Sequence, residues 1–217
     1  AMRHLIDTYI RAEESEKISA FDDMSLIQLI VERGPDAVNA LPKGIKDNHE
    51  AVAETIENNV RKLIINESPV DPAYYDKMSQ LLDALIALRR KGVVSYKEYL
   101  EKIAKLTKDA TMPGGGPGGY PASVKTAAQR ALYNNLGKDE GRALAVDAAI
   151  TGSRQDGWKT NTMKTKKVRI AIREALVNAV APPVAVNAAN QAMARGDYPV
   201  EVMTDQILEL AKHQNDY

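Results

Sequence analysis

A chain of 217 residues is long enough to bury a sizeable core, and 44% hydrophobic with 27% charged residues is an ordinary globular composition. A formal net charge of zero gives no global field toward nucleic acid or membrane, and the absence of cysteine excludes disulfides, thiol nucleophiles and Cys-ligated metals. Aromatics make up only 5%, nine of them Tyr, which argues against a sheet-rich domain. No apolar run approaches the roughly 20 residues needed to span a bilayer, and no signal-peptide pattern opens the sequence, so a cytoplasmic protein is expected.

Ala1-Met2 followed at once by a helical pattern reads as a chain cut from something longer. Residues 3–12 place Leu5, Ile6, Tyr9 and Ile10 on one helical side, and residues 12–23 are acidic and read as a loop or an irregular helix. Ser25 with Gln28 predicts a capped short helix over 26–33, stopped by Gly34-Pro35. Residues 39–48 hold Pro and Gly and read as a connector. A long helix follows over 49–66, with Val52, Ile56, Val60, Leu63 and Ile64 as its seam.

Residues 71–109 form the central feature, a helical hairpin. Asp71 can cap the first amides, and Pro72 sits where its missing N–H costs nothing. Tyr75, Met78, Leu81, Leu82, Leu85, Ile86 and Leu88 share an arc of about 160° on the helical wheel. Gly92 after a basic last turn predicts a left-handed stop. Ser95 and Glu98 make a second capping box, with Tyr96, Tyr99, Leu100, Ile103 and Leu106 on one face and Glu98–Lys102 and Glu101–Lys105 as i,i+4 pairs on the other.

Residues 111–121, TMPGGGPGGYP, hold five Gly and three Pro and break the helical pattern. Beyond the break, Ser123 is expected to cap a helix ending near Gly137, and Asp139 one ending near Gly152. A third covers 162–180 with Val168, Ile172, Leu176 and Ala179 inward, stopped by Ala181-Pro182-Pro183, and a last one covers 200–212. The expectation is an all-α, irregular multi-helix bundle. It has an N-terminal helical subdomain over 1–109, a Gly/Pro-rich linker or loop over 110–122 and a C-terminal helical subdomain over 123–217.

Most candidate chemistry fails on context. The glycines of 114–119 are followed by Tyr120-Pro121, not by the Gly-Lys-Ser/Thr that a phosphate loop needs. Pro35-Asp36 resembles the start of a nuclease metal site, but no Glu-x-Lys exists in the sequence to complete it. His4, His49 and His213 lack metal-ligand spacing, and Asp22-Asp23 falls on a loop with no pocket signal. No catalytic residue, cofactor site or metal site is therefore assigned.

One constellation stands out. Between Arg154 and Glu174, seven basic residues face two acidic ones, a local charge of +5 on a neutral chain. Trp158, Lys159, Asn161, Lys164, Lys166, Lys167, Arg169 and Arg173 are the candidates for contact with a partner or with DNA. Lys166, Arg169 and Arg173 follow one outer stripe at i, i+3, i+7. The alternative is a solvated helix face with Trp158 as a core plug, and both readings stay open. A weaker candidate is Asn58, Asn59, Arg61 and Lys62, because two successive Asn are unusual inside a helix. Solvent exposure or local backbone bonding explains them equally well.

Several segments taken in order also carry a likeness. They are Glu57-Asn58-Asn59-Val60-Arg61-Lys62-Leu63-Ile64, Asp71-Pro72-Ala73-Tyr74-Tyr75, Leu81-Leu82, and Ser95-Tyr96-Lys97-Glu98-Tyr99-Leu100. Arg142-Ala143-Leu144, Asp156-Gly157-Trp158-Lys159-Thr160-Asn161 and Lys166-Lys167-Val168-Arg169-Ile170-Ala171-Ile172-Arg173 follow. Each is short; their order and spacing resemble the C-terminal helical region of the R (motor) subunits of type I restriction enzymes, from about Arg3 to the last residue.

The resemblance implies a non-catalytic assembly piece of an ATP-dependent type I site-specific deoxyribonuclease. In that family an upstream nuclease domain cuts DNA and two helicase-like lobes translocate it using ATP and Mg²⁺. The helical region attaches them to the methyltransferase and specificity subunits. None of the nuclease or ATP motifs lies in this sequence, so no catalytic residue carries over and no cofactor is expected in this fragment. The expected partners are the methyltransferase–specificity core, with DNA in the full complex and no membrane. The competing class is a stand-alone helical nucleic-acid-binding module; an unrelated helical enzyme would need a pocket with converging polar groups.

Overall fold

The computed structural model describes residues 25–41, 46–111, 119–179 and 200–217, and all regular structure among them is helical. The expected first helix, His4, Asp22-Asp23, most of the Gly-rich break and Ala181-Pro182-Pro183 lie outside the described residues. No helix among the described residues is long and apolar enough to cross a membrane.

In chain order the helices are α1 (Leu26–Arg33), a 3-10 helix (Gly34–Ala40), α2 (His49–Glu67), α3 (Pro72–Arg90) and α4 (Tyr96–Thr111). Then come α5 (Ala127–Asn135), α6 (Glu140–Ser153), α7 (Thr162–Asn178) and α8 (Val200–His213). Side-chain caps explain most of their starts. Ser25 and Gln28 exchange hydrogen bonds at α1, Asp71 accepts from Tyr74 N–H at α3, and Asp139 accepts from Arg142 N–H at α6. Asn48 accepts from two amides at the start of α2. The α3–α4 turn is a Schellman motif: Gly92 takes φ 67°, its N–H bonds Arg89 O and Val93 N–H bonds Leu88 O.

Three local expectations need correction. The cap of α5 is Thr126, which forms the reciprocal box with Gln129, while the Ser123 hydroxyl bonds the Glu140 carboxylate instead. Gly34-Pro35 ends α1 as expected, and Pro35 suits the first turn of the 3-10 helix that continues to Ala40. Bonds from Ser95 N–H and Oγ, with the Lys102 charge behind them, hold Glu98 below the usual carboxylate range, so that pair is favourable as expected, whereas Glu101 and Lys105 close no ion pair. On α3 the buried arc is narrower than expected: Tyr75, Met78, Leu82 and Leu85 are buried, whereas Leu81 and Leu88 are exposed at 45% and 38%.

Buried side chains collect in two clusters. The first packs α1–α4 around Leu29, Ile30, Val52, Val60, Leu82, Tyr99 and Ile103. Inside it, Arg89 donates to Glu57 Oε1 at 3.0 Å and Tyr99 OH donates to the same oxygen at 2.9 Å. Arg89 also reaches Glu50 at the first cluster's edge. The second cluster packs α5–α8 around Leu132, Val146, Ile150, Trp158, Val168, Ile172 and Ile207.

Polar contacts join the clusters where α3 meets α5. Asp71, 5% exposed, accepts from Asn134 Nδ2 at 2.6 Å and from Asn135 Nδ2 at 2.7 Å, while Ala73 N–H donates to Asn135 Oδ1 at 3.2 Å. Gln214 Nε2 donates to Val70 O at 2.6 Å. Burial raises the Asp71 pKa from 3.8 to about 6, against the lowering effect of the bonds from Asn134, Tyr74 N–H and Asn135.

Candidate functional site

The basic constellation lies on the turn between α6 and α7, on α7 itself and against α8. Gly157 at φ 68° lets the chain reverse, with Trp158 N–H on Gln155 O and Asn161 N–H on Gly157 O at 3.0 and 3.1 Å. The reversal drives Trp158 into the second cluster, where it is 3% exposed and its Nε1 has no hydrogen-bond partner. Asn161 then caps α7, accepting from Met163 N–H and Lys164 N–H at 3.1 Å each. Thr165 Oγ1 donates to the Trp158 carbonyl and closes the corner.

The cations of this region fall into three groups. Lys159 Nζ donates to Gln214 O, and Lys164 Nζ donates to Asp156 O at 2.6 Å, so both hold backbone together. Burial, helped by the charge of Arg154, keeps the Lys159 ammonium below the usual lysine range. Arg169 and Arg173 face α8. Arg169 bonds Asp205 at 2.6 Å and Glu201 at 2.7 Å, and Arg173 bonds the other oxygen of Glu201. Those bonds hold Glu201 and Asp205 below the usual carboxylate range, Glu201 chiefly through Arg173 and Asp205 through Arg169. Lys166 and Lys167 are exposed and make no hydrogen bond or ion pair within the described residues.

Beside the turn is a pocket of about 440 Å³ bordered by Arg154, Gly157, Trp158, Lys159 and Tyr217. Arg154 Nη1 donates to Asp216 O at 2.6 Å and its guanidinium lies 5.8 Å from the Tyr217 ring centroid. Tyr217 OH donates to Asp147, and Asp216 accepts from Ala128 N–H at 2.9 Å. Arg154, Lys159 and Tyr217 in the wall are thus held by bonds to neighbouring groups, and Thr151, Gln155, Asp156 and Thr160 complete the lining. Its rim carries the cations Arg154 and Lys159 and the carboxylate Asp156.

The weaker candidate sits on α2. Asn59 Nδ2 bonds Thr55 O four residues back at 2.8 Å, and Arg61 bonds Asp83 on α3 at 2.6 Å. Asn58 and Lys62 are exposed. His49 stacks on Tyr96 at 3.9 Å between centroids, far from His213 in the other cluster. Among the described residues no three His, Asp or Glu converge as a metal would require.

Sequence spacing finds the basic run but misses its acidic counterpart. Glu201 and Asp205 lie four apart on α8, one turn from each other, which is the only local signal that they line a common face. Compared with protein-family models, with curated proteins and with solved structures, the chain matches none.

Proposed function

We propose that this chain is a non-catalytic helical assembly domain of the type I restriction R-subunit kind. It docks an ATP-dependent DNA translocase and nuclease onto the methyltransferase–specificity core. The ordered sequence resemblance supports the family. The all-helical arrangement of α1–α8 is in keeping with it. No residue of the chain is assigned to ATP or Mg²⁺, and the purified chain is expected to hydrolyse neither ATP nor DNA.

One observation favours docking over a phosphate-gripping role: Arg169 and Arg173, the guanidinium members of the basic stripe, are already bonded to Glu201 and Asp205. Guanidinium groups are the stronger phosphate clamps, and bonding to carboxylates removes that function. The second reading, contact with the DNA backbone, rests on Lys166 and Lys167. Two lysines supply two phosphate contacts, which corresponds to a log–log salt slope near −2 at about −0.9 per contact.

The test is capture of the purified chain by the methyltransferase–specificity core, alongside titration of bare duplex DNA at several salt concentrations. Capture with shallow salt dependence and weak duplex binding is the expected result. Absence of capture, or duplex binding with a slope much steeper than −2, rejects the docking role.

A further inference from the structure

The outer face of α7 carries three apolar side chains that stay exposed or half-exposed among the described residues. Met163, Ile170 and Val177 are 73%, 46% and 46% exposed. They are seven residues apart, so each lies almost above the last, on a line about 21 Å long at 1.5 Å per residue. The core residues of the same helix, Val168, Ile172 and Leu176, occupy the opposite side. The helix therefore has two apolar faces, one facing its own cluster and one facing out. Scattered exposed apolar residues need no explanation, but three spaced one heptad apart fall on one line, a seam flanked by charged side chains rather than a full a/d stripe.

Among the described residues, the two lysines beside this line have no acidic partner. Lys166 and Lys167 lie on either side of its N-terminal half. Arg173 is bonded to the exposed Glu201 on α8, and Glu174 is a second exposed acid near the C-terminal half, so the unpaired positive charge lies at the N-terminal half. A complementary partner surface is apolar along its centre and acidic opposite the two lysines.

We propose that this face of α7 docks an amphipathic helix with an apolar heptad stripe and Glu or Asp flanking it, presented by the methyltransferase–specificity core. That source of the helix rests on the docking role proposed above; the chemistry of the seam does not. The two lysines set the preference for acidic flanks, and the apolar line supplies the contact area.

The full chain is titrated with two designed helical peptides that share a Leu heptad stripe, one with Glu at the flanking positions and one with Lys, and separately with the core. The Glu peptide is expected to bind at least tenfold more tightly than the Lys peptide, and Ile170→Glu is expected to weaken it at least tenfold without changing the far-UV circular dichroism. Lys166→Glu with Lys167→Glu is expected to reverse the peptide preference. Equal binding of the two peptides, or Glu-peptide binding that survives Ile170→Glu, overturns the seam. Self-association of the chain abolished by Ile170→Glu assigns the face to a second copy and also overturns it. Peptide preference without capture by the core leaves the seam standing and rejects the docking role. Capture unaffected by Ile170→Glu leaves the docking role and rejects this face as its site.

Discussion

Replacing Asp71 with asparagine tests the joint between the two clusters, because it removes the charge while keeping the shape. Asp71 is the cap of α3 and also the acceptor for Asn134 and Asn135 of α5. Its pKa moves from 3.8 to about 6 because burial disfavours the carboxylate more than its three bonds favour it. At 1.36 kcal/mol per pH unit, keeping it ionised at pH 7 costs about 3 kcal/mol relative to the unfolded chain. Between the unfolded and folded pKa values the folded state holds more protons. The favourable contribution of this group is therefore fully present below 3.8 and is lost as pH rises through about 6. The Asp71→Asn side chain would keep an acceptor for Tyr74 N–H but set an amide donor against one of the asparagine donors of α5, a loss of about 1–3 kcal/mol. At pH 7 this roughly offsets the relief of burial, so the variant is expected to lie within about 2 kcal/mol of the parent. The decisive quantity is the difference between them as pH falls. Urea unfolding followed by circular dichroism at pH 7 and pH 4.5 is expected to show the parent gaining about 2 kcal/mol on the variant. Taking the difference also cancels Glu98, Glu201 and Asp205, whose lowered pKa values make stability fall with pH in both proteins. A difference that stays constant across that range refutes the placement of a strained carboxylate at this joint.

Arg89→Ala leaves Glu57 buried with only the Tyr99 hydroxyl for company, and urea unfolding is expected to show a loss of about 3 kcal/mol; pairing it with Glu57→Leu should recover much of that. Trp158→Ala is expected to cost about 3–5 kcal/mol through the cavity it leaves, whereas Trp158→Phe should cost clearly less because Nε1 makes no bond to lose; thermal melts of both variants check the order. Glu201→Gln combined with Asp205→Asn frees the guanidinium groups of Arg169 and Arg173. Duplex binding by that variant is expected to tighten, and its log–log salt slope to steepen by up to about 2.

What the sequence makes legible here is local. The caps at Ser25, Asp71, Ser95 and Asp139 depend on residues about three apart, and each forms as spacing predicts. The miss at Ser123 has the same origin. Two hydroxyl residues three apart compete, and the one followed by Gln129 at the right distance wins. Leu81 and Leu88 fall in the predicted core arc because a helical wheel shows how apolar residues cluster, not how much of the arc a neighbour covers. Asn161, a candidate for partner contact, also caps α7, a role its place just before a helix already signals. The pairing of Arg169 with Asp205 spans 36 residues and that of Arg173 with Glu201 spans 28, separations over which no periodicity carries information. On α7 the inward arc dominates the pattern and hides the seven-residue recurrence of Met163, Ile170 and Val177 on its back.

Trp158 is the sole indole in the sequence, and it sits in the cluster of α5–α8. Its emission therefore senses the melting of those four helices alone, while ellipticity near 222 nm averages over every helix. Superposed transitions from the two signals mean that α1–α4 and α5–α8 unfold as one cooperative unit; separated midpoints mean that they come apart in sequence. With α3 and α5 joined through a few amide and carboxylate contacts at Asp71, an ordinary fluorimeter can ask how strongly one group of helices feels the other.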